Sequence, residues 1–112
     1  MKGTSLGEFE ELCLLAVGIL QEDAYGVSVK EEVEKFSSRK STLSTIHSTL
    51  IRLEKKGFLE SRMGGATESR GGRTKRLFEI TLLGKKAINE ARQLRENMWQ
   101  HMPQILWEGG QS

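Results

Sequence analysis

The hydrophobic and polar positions divide the chain into four helical segments and one pair of short strands. The first segment is apolar almost without interruption over residues 9–20, with three glutamates near its start. A helix that is apolar over so much of its circumference is buried on more than one side. In a domain this small, we expect the second side to face another subunit. Ser5 and Glu8 have the spacing of a capping box, which predicts a helix start at Ser5.

A turn over residues 21–26 precedes a second amphipathic helix, for which Asp23 is the expected N-cap. Helical spacing places four apolar side chains of this helix on one face, which should pack on the core. They are Tyr25, Val29, Val33 and Phe36.

The third helix should begin at the N-cap Thr42 and end at Gly57, which suits the C′ position. Its predicted core stripe is Leu43, Ile46, Leu50 and Leu53. The opposite face carries no acidic residue and comprises Ser44, Ser48, Arg52 and Lys55, with Thr45 at its edge. Small side chains let a helix approach DNA closely, and hydroxyl groups bond phosphates or base edges. Capping alone explains Thr42, but it does not explain Ser48 and Thr49, which lie inside the helix.

Two strand candidates follow, Phe58–Arg62 and Leu77–Thr81, joined by a loop with four glycines and four basic residues. A nucleotide-binding loop is disfavoured because the loop has no Gly-Lys-Ser/Thr and no helix directly after it. A helix followed by a basic hairpin is instead the layout of a winged helix-turn-helix, whose helix enters the major groove while the wing contacts the backbone. We therefore expect Arg70, Arg73 and Lys75 to contact phosphates.

The last predicted helix starts after the cap Thr81 and runs to Met102, where Pro103 should kink or end it. Its seam has near-heptad spacing, which suits helix pairing: Ala87, Ala91, Leu94 and Met98. Trp99 and Trp107 have little core left to enter, so we expect them to be buried at an interface. The predicted interface residues are Leu12, Leu94, Met98, Trp99 and Met102.

The predicted fold class is therefore mainly α with a small β-hairpin. Residues 1–81 form a winged helix-turn-helix domain, and residues 82–107 form a C-terminal dimerisation helix.

Charge is distributed unevenly along the chain. The net charge of +2 is too small to indicate a nucleic-acid partner by itself. Residues 1–38 carry three lysines and eight acidic residues, a net charge of −5, whereas residues 39–76 carry ten basic and three acidic residues, a net charge of +7. Positive charge thus coincides with the third helix and the wing, as neutralisation of phosphates requires. The alternative is a solvated basic loop on an ordinary domain.

Composition narrows the remaining classes. A length of 112 residues suits one domain, and a hydrophobic content of 37% leaves room for a subunit interface. Neither a membrane-spanning run nor a signal-peptide layout is present, so we expect a cytoplasmic protein without a membrane partner. Cys13 should be a buried small hydrophobe. Because it is remote in sequence from His47 and His101, and because no residues have metal-ligand spacing, we expect no enzyme activity, cofactor or metal.

Three segments resemble the PadR family of transcriptional regulators in its short form. They are Ala24-Tyr-Gly-Val-Ser-Val29, Leu50-Ile-Arg-Leu-Glu-Lys-Lys-Gly-Phe-Leu59 and Arg76-Leu-Phe-Glu-Ile-Thr-Leu-Leu-Gly84. With their spacing they cover roughly residues 6–102. The chain departs from the family at His47-Ser48, where Tyr-Pro is usual, and at Phe78, where tyrosine is usual. His47 either donates to a phosphate in place of the tyrosine hydroxyl or is a neutral flanking residue.

The resemblance implies a homodimer, joined through the first and last helices, that binds a two-fold operator in double-stranded DNA and usually represses nearby genes. Some relatives respond to phenolic acids or flat aromatic drugs at the dimer interface. Trp99, with Met98 and Met102 near it in sequence, would bind such a small aromatic effector. The alternative is that Trp99 simply packs in the dimer interface. The predicted DNA contacts are Ser44, Thr45, His47, Ser48, Thr49, Arg52, Lys55, Arg70, Arg73 and Lys75. The alternative function is a winged-helix module for protein–protein interaction without direct recognition of DNA.

Overall fold

The computed structural model describes residues 6–64 and 74–109. Its elements are α1 (Glu8–Leu20), a 3₁₀ turn (Gln21–Asp23), α2 (Gly26–Ser37), α3 (Leu43–Lys55), β1 (Leu59–Gly64), β2 (Lys75–Ile80), α4 (Leu82–Gln100) and α5 (Ile105–Gly109). The two strands pair antiparallel, with Leu59 opposite Ile80 and Gly64 opposite Lys75. Three helices followed by a hairpin and a long helix confirm the predicted winged-helix fold class.

One hydrophobic core joins the first three helices to the hairpin. Its fully buried side chains include Leu14, Val17, Val29, Ile46, Leu50, Leu53, Phe58 and Phe78. The core stripe predicted for α3 is confirmed except at Leu43, which is exposed because it is the first residue of the helix. Cys13 is buried as predicted, and this burial raises the pKa of its thiol to about 12.

The helix starts depend on short-range hydrogen bonds. Thr42 and Thr81 are confirmed as N-caps because their hydroxyls accept the amides of Thr45 and Gly84 at 3.1 and 3.0 Å. Gly57 follows α3 with a φ of 85°, a left-handed conformation that favours glycine. The signals that predicted these ends are local, and the structure preserves them.

The predicted start of α1 is wrong. The helix begins at Glu8, and its N-cap is Gly7 rather than Ser5, which lies outside the described residues. The Gly7 amide donates to Oε1 of Glu10 at 2.8 Å. A glutamate side chain therefore satisfies the first free N–H of the helix, as in a capping box shifted by two residues.

The predicted cap of α2 is also wrong. Asp23 belongs to the 3₁₀ turn, and α2 begins after Tyr25, whose amide donates to the hydroxyl of Ser28 at 2.9 Å. Val29 and Val33 are buried as predicted, but Tyr25 is only half-buried and Phe36 is exposed near the end of the helix. The 3₁₀ turn shifts the helix start by two residues.

The hairpin leads directly into α4. Both strands lie nearer the loop than predicted, because Phe58 precedes β1 and Thr81 caps α4. The Thr81 hydroxyl donates to the Gly57 carbonyl at 2.7 Å, and the Thr81 amide donates to the Phe58 carbonyl at 3.0 Å. These bonds hold the first turn of α4 against the end of α3.

The second half of α4 extends away from the core. Gly84 and Ala87 are its buried residues, whereas every residue from 92 to 100 is exposed. Because the helix extends beyond the core, the protein is elongated and measures 60 × 33 × 20 Å. The helix ends at Gln100 rather than Met102, and Pro103 follows as expected. The short α5 was not predicted. It brings Trp107 onto Trp99, with ring centroids 4.9 Å apart.

Candidate nucleic-acid interface

One face of α3 is exposed, polar and basic. Ser44, Ser48 and Arg52 follow one another at intervals of four residues, and Lys55 follows three residues later. All four are exposed, as is Thr45 at the edge of this face. We call these five residues the polar face of α3. Glu54 is the single acidic residue of α3, and it is engaged with the hairpin through Arg76.

Thr49 does not belong to the polar face, so its prediction as a DNA contact is wrong. Its side chain is 1% exposed, and its hydroxyl donates to the Thr45 carbonyl at 2.8 Å within the helix. A rotation of about 100° per residue places position 49 beside the core residues Ile46 and Leu50. Ser48, one position earlier, is exposed.

His47 lies where α3 meets the first turn of α2. The residue is exposed, yet its Nε2 would lie 2.7 Å from a Cβ added to Gly26, the first residue of α2. A larger residue at position 26 would displace the ring. The imidazole therefore packs against α2 and remains at the same surface as the polar face.

Two cations in the C-terminal half of α3 and just beyond it bind one buried carboxylate. Arg52 Nε donates to Oε2 of Glu10 at 2.8 Å, and Lys56 Nζ lies 2.9 and 3.0 Å from Oε1 and Oε2. Glu10 is 6% exposed, whereas the Arg52 side chain is 52% exposed. The acid is thus inside the protein, and both cations reach it from the surface.

The hydrogen bonds of Glu10 lower the pKa of its carboxyl group by more than burial raises it. Burial alone raises the pKa of a carboxyl group. The amide of Gly7 and the side chains of Lys56 and Arg52 stabilise the ionised form, so that the pKa of Glu10 falls from 4.5 to about 2. Glu10 is therefore a carboxylate at neutral pH, and it offsets part of the positive charge beside α3.

A second network joins the end of α3 to both strands of the hairpin. Arg76 Nη2 donates to Oε1 of Glu54 at 2.7 Å, and Arg76 Nε donates to Oγ of Ser61 at 3.1 Å. The Ser61 hydroxyl donates to the other Glu54 oxygen at 2.8 Å. Three elements are thus fixed at one point, which sets the position of the hairpin relative to α3.

The wing is described at its base. Lys75, predicted to contact phosphate, is half-buried, and its Nζ lies 4.0 Å from the centroid of the Tyr25 ring. This is the geometry of a cation–π contact. Arg70 and Arg73, the other predicted wing contacts, lie outside the described residues.

Sequence reasoning missed Glu10 as a member of this site. Its partners are 42 and 46 positions away, so no local pattern announces them. The sequence offered one signal, a glutamate within an otherwise apolar helix. If such a residue is buried, its charge needs a partner of opposite charge. The effective charge of residues 39–76 is consequently smaller than +7, because Arg39, Arg52 and Lys56 are ion-paired with Glu8 and Glu10, which lie outside that segment.

A separate apolar groove of about 640 Å³ runs between α1 and α4, lined in part by Leu15, Ile88 and Trp99. On α4, Leu94, Met98 and Trp99 are 59%, 64% and 61% exposed. Leu12 and Met102 are both half-buried, and Leu12 packs against the hydrophobic core.

No cluster of metal-ligating side chains occurs in residues 6–64 and 74–109. Within the same ranges, no helix has both the length and the apolarity needed to cross a membrane.

The fold and the arrangement of α3 beside the hairpin define a winged helix-turn-helix protein. Residues 14–90 match the transcriptional regulator PadR-like family, and the chain belongs to that family. It is similar in structure to a PadR family transcription regulator from Clostridium difficile R20291, with 25% identity, a TM-score of 0.66, and coverage of 85% of this chain and 97% of that one.

Two other solved structures show the same fold. hsRosR-S1 is 20% identical, with a TM-score of 0.70 and coverage of 91% of this chain and 83% of that one. The Aeropyrum pernix ORC1 protein, solved in complex with DNA, is 20% identical, with a TM-score of 0.62 and coverage of 79% of this chain but 25% of ORC1. No curated protein matches the chain.

Proposed function

We propose that this PadR-family regulator binds a two-fold operator in double-stranded DNA as a homodimer and represses the adjacent genes. The observation that carries the proposal is the polar face of α3, which is exposed and free of acidic residues, on a helix whose end is bonded to the base of the hairpin. A helix of this kind fits the major groove, where short hydroxyl side chains reach base edges. Membership of the family supports a role in transcription, and a protein that shares this fold, ORC1, was solved in complex with DNA.

The contacts divide into two classes. Ser44, Thr45 and Ser48 lie in the first two turns of α3, which enter the groove in helix-turn-helix proteins, so we assign them to base edges and nearby phosphates. Arg52 and Lys55 lie further along the polar face, and we assign them to phosphates. His47, held against α2, is the candidate donor to a phosphate at the edge of this face.

The wing supplies the remaining contacts in this proposal. Arg70 and Arg73 bind the DNA backbone, and Lys75 supports the base of the wing over the Tyr25 ring while its ammonium group remains near the surface. Phosphate contacts of this kind fix the register of the protein without distinguishing sequences.

The proposed dimer uses α1 and α4. Leu94 and Met98 on α4 and Leu15 on α1 are large apolar side chains that the structure leaves exposed. Their exposure supports an interaction site on these two helices. A two-fold dimer would place two α3 helices on successive turns of one face of DNA, about 34 Å apart.

Selection from a pool of random duplexes tests this function. The protein should enrich a two-fold symmetric sequence whose half-sites are about 10 base pairs apart, because the symmetry of the operator mirrors that of the dimer. A pool that stays random after several rounds would contradict sequence-specific binding and would favour a module for protein contacts.

A small, flat aromatic molecule is the proposed effector. The apolar groove between α1 and α4 reaches Trp99, and Met98 adjoins it in sequence on an exposed face of α4. Indole rings stack on planar ligands, and methionine adapts to varied shapes. Such a ligand releases DNA only if it binds the DNA-competent and DNA-incompetent dimers unequally.

Tryptophan fluorescence tests the effector proposal, with Trp107→Phe as the matched control. A planar aromatic that quenches the wild type should still quench Trp107→Phe but lose most of its effect on Trp99→Phe, and it should release operator DNA. Because Trp107 lies 4.9 Å from Trp99 and reports on the same region, the variants are compared by the affinity obtained from the titration. An unchanged affinity in Trp99→Phe would place the site elsewhere. Binding without release of DNA would contradict a regulatory role.

A further inference from the structure

The carboxylate of Glu10 holds two cations in different ways. Its Oε2 accepts the Nε of Arg52 at 2.8 Å, and both of its oxygens contact Lys56 Nζ at 2.9 and 3.0 Å. The amide of Gly7 adds a third donor at 2.8 Å. Every donor approaches an acid that is almost fully buried, so the carboxylate is a fixed anchor between the start of α1 and the end of α3.

The bond to Arg52 fixes the direction of its guanidinium group. Nε is the nitrogen nearest the aliphatic stem, and about half of the side chain stays exposed while Nε is bound. Arg52 lies one helical turn beyond Ser48, at the C-terminal part of the polar face. The charged end of Arg52 is therefore held beside the residues that we assign to the major groove.

The same carboxylate limits the charge of this region. Arg52 and Lys56 carry two positive charges, and Glu10 offsets one of them. Two cations on flexible stems would otherwise attract phosphates of any sequence, because binding to random DNA is almost wholly electrostatic. Holding the side chains in one arrangement also removes part of the entropy cost that each would incur on contacting a phosphate.

We propose that Glu10 is a positioning residue for DNA binding, which presents Arg52 and Lys56 to backbone phosphates in one register and restrains their attraction to DNA of other sequences. This inference rests on the proposed function and deepens it. Glu10 itself touches no DNA, since it is buried behind the two cations.

A purely structural role for Glu10 makes a different prediction. If the carboxylate only fastened α1 to α3, its loss would lower stability and weaken binding to all DNA in equal proportion. If it positions and restrains the two cations, its loss should strengthen binding to random DNA and weaken the preference for the operator. The dependence of affinity on salt separates the two roles.

The experiment compares the wild type with Glu10→Gln and Glu11→Gln on operator and random duplexes over a range of salt concentrations. Glu11→Gln is the matched control, because it removes the same charge one residue away, where the partner is Arg95 of α4 at 2.9 Å. For Glu10→Gln, the slope of log affinity against log salt on random DNA should steepen by about one unit, the value for one additional phosphate contact. The ratio of operator to random affinity should fall about tenfold, and Glu11→Gln should leave this ratio unchanged.

Arg52→Gln tests the inference by removing one of the two cations, while Glu10 stays paired with Lys56. Its salt slope should become shallower by about one unit, and the operator preference should fall. An unchanged preference in Arg52→Gln would overturn the inference even if Glu10→Gln failed to fold. An unchanged slope, or an equal loss on both duplexes, in folded Glu10→Gln would also overturn it. A wild type that does not distinguish the two duplexes would instead overturn the proposed function.

Discussion

At the residue scale, the buried carboxylate of Glu10 matters most, because it connects the stability of the fold to the charge of α3. Burial opposes its ionisation, yet the donors from Gly7, Lys56 and Arg52 lower its pKa to about 2. A carboxyl group whose pKa is lower in the folded state than in the unfolded state stabilises the protein above its unfolded pKa. This stabilisation is lost as the pH falls through the folded value.

The contribution of Glu10 should therefore disappear between about pH 4.5 and pH 2. Glu10→Gln should be less stable than the wild type by about 2 kcal/mol at pH 7, since one pKa unit corresponds to about 1.4 kcal/mol and the half-exposed Arg52 reduces the effect. Urea unfolding at pH 7, 4 and 2.5 measures this difference, which should shrink as the pH falls.

Glu11→Gln is the control for this measurement, because its partner Arg95 is largely exposed and surface ion pairs contribute little. A difference between Glu10→Gln and the wild type that stayed constant with pH would contradict the assignment.

Single residues also show what the sequence can predict. Helical periodicity placed Ser48 at the surface and Leu50 in the core. Thr49 was predicted as a DNA contact because capping did not explain it, but it lies at the boundary between the two faces and is buried. The partnership of Glu10 with Arg52 was beyond prediction, because it joins residues 42 positions apart whose contact depends on how α1 crosses α3.

At the element scale, the position of α4 depends on a close approach to the end of α3. A Cβ at Gly84 would overlap the carbonyl oxygen of Phe58 and would lie 2.9 Å from Cγ1 of Ile80. The backbone of α4 reaches its place only because position 84 has no side chain. Gly18, in α1, has open space at the corresponding point.

Alanine at these two helical glycines should have opposite effects. Gly84→Ala should destabilise the protein by about 2 kcal/mol, because the added methyl group forces α4 away from Phe58. Gly18→Ala should be neutral or stabilising by up to about 1 kcal/mol, because alanine favours helix over glycine. Thermal unfolding of both variants measures the contrast. Equal midpoints would contradict the close approach.

Elements were predictable where their signals are local. The caps Thr42 and Thr81 and the C′ residue Gly57 follow from the side chains themselves, so α3 and the start of α4 were placed correctly. The start of α2 was misplaced because a 3₁₀ turn intervenes. The short α5 was not predicted. In the structure its Trp107 contacts Trp99, and no local sequence pattern indicates that contact.

At the scale of the whole molecule, the long axis of 60 Å reflects a helix that extends beyond the core that supports it. From residue 92 onward, α4 leaves Leu94 and Met98 exposed, and Trp99 is covered in part by Trp107. Net charge by segment indicated the proposed DNA-binding region from sequence. It overstated the effective charge, however, because three cations of residues 39–76 are ion-paired with carboxylates of α1. Which surface would meet a second copy in the proposed dimer depends on the packing of α1 and α4, which no local pattern encodes.

Leu94→Glu tests the proposed dimer. A carboxylate at the centre of an apolar interface would be buried without a partner, so the variant should be a monomer by light scattering, or unfolded. Gln93→Glu, at an exposed neighbouring position of α4, is the control and should remain a dimer. A folded Leu94→Glu variant that stayed dimeric would place the interface elsewhere.

The most direct test of the central claim is the effect of a negative charge on the polar face of α3, measured by fluorescence anisotropy on the selected operator and on random DNA. Ser48→Glu should weaken operator binding at least a hundredfold, corresponding to about 2.7 kcal/mol, because a carboxylate would face the groove and its phosphates. Gln93→Glu, which adds the same charge on α4, should bind as the wild type does. Operator affinity that is the same in Ser48→Glu and in the wild type would contradict the recognition of DNA through α3.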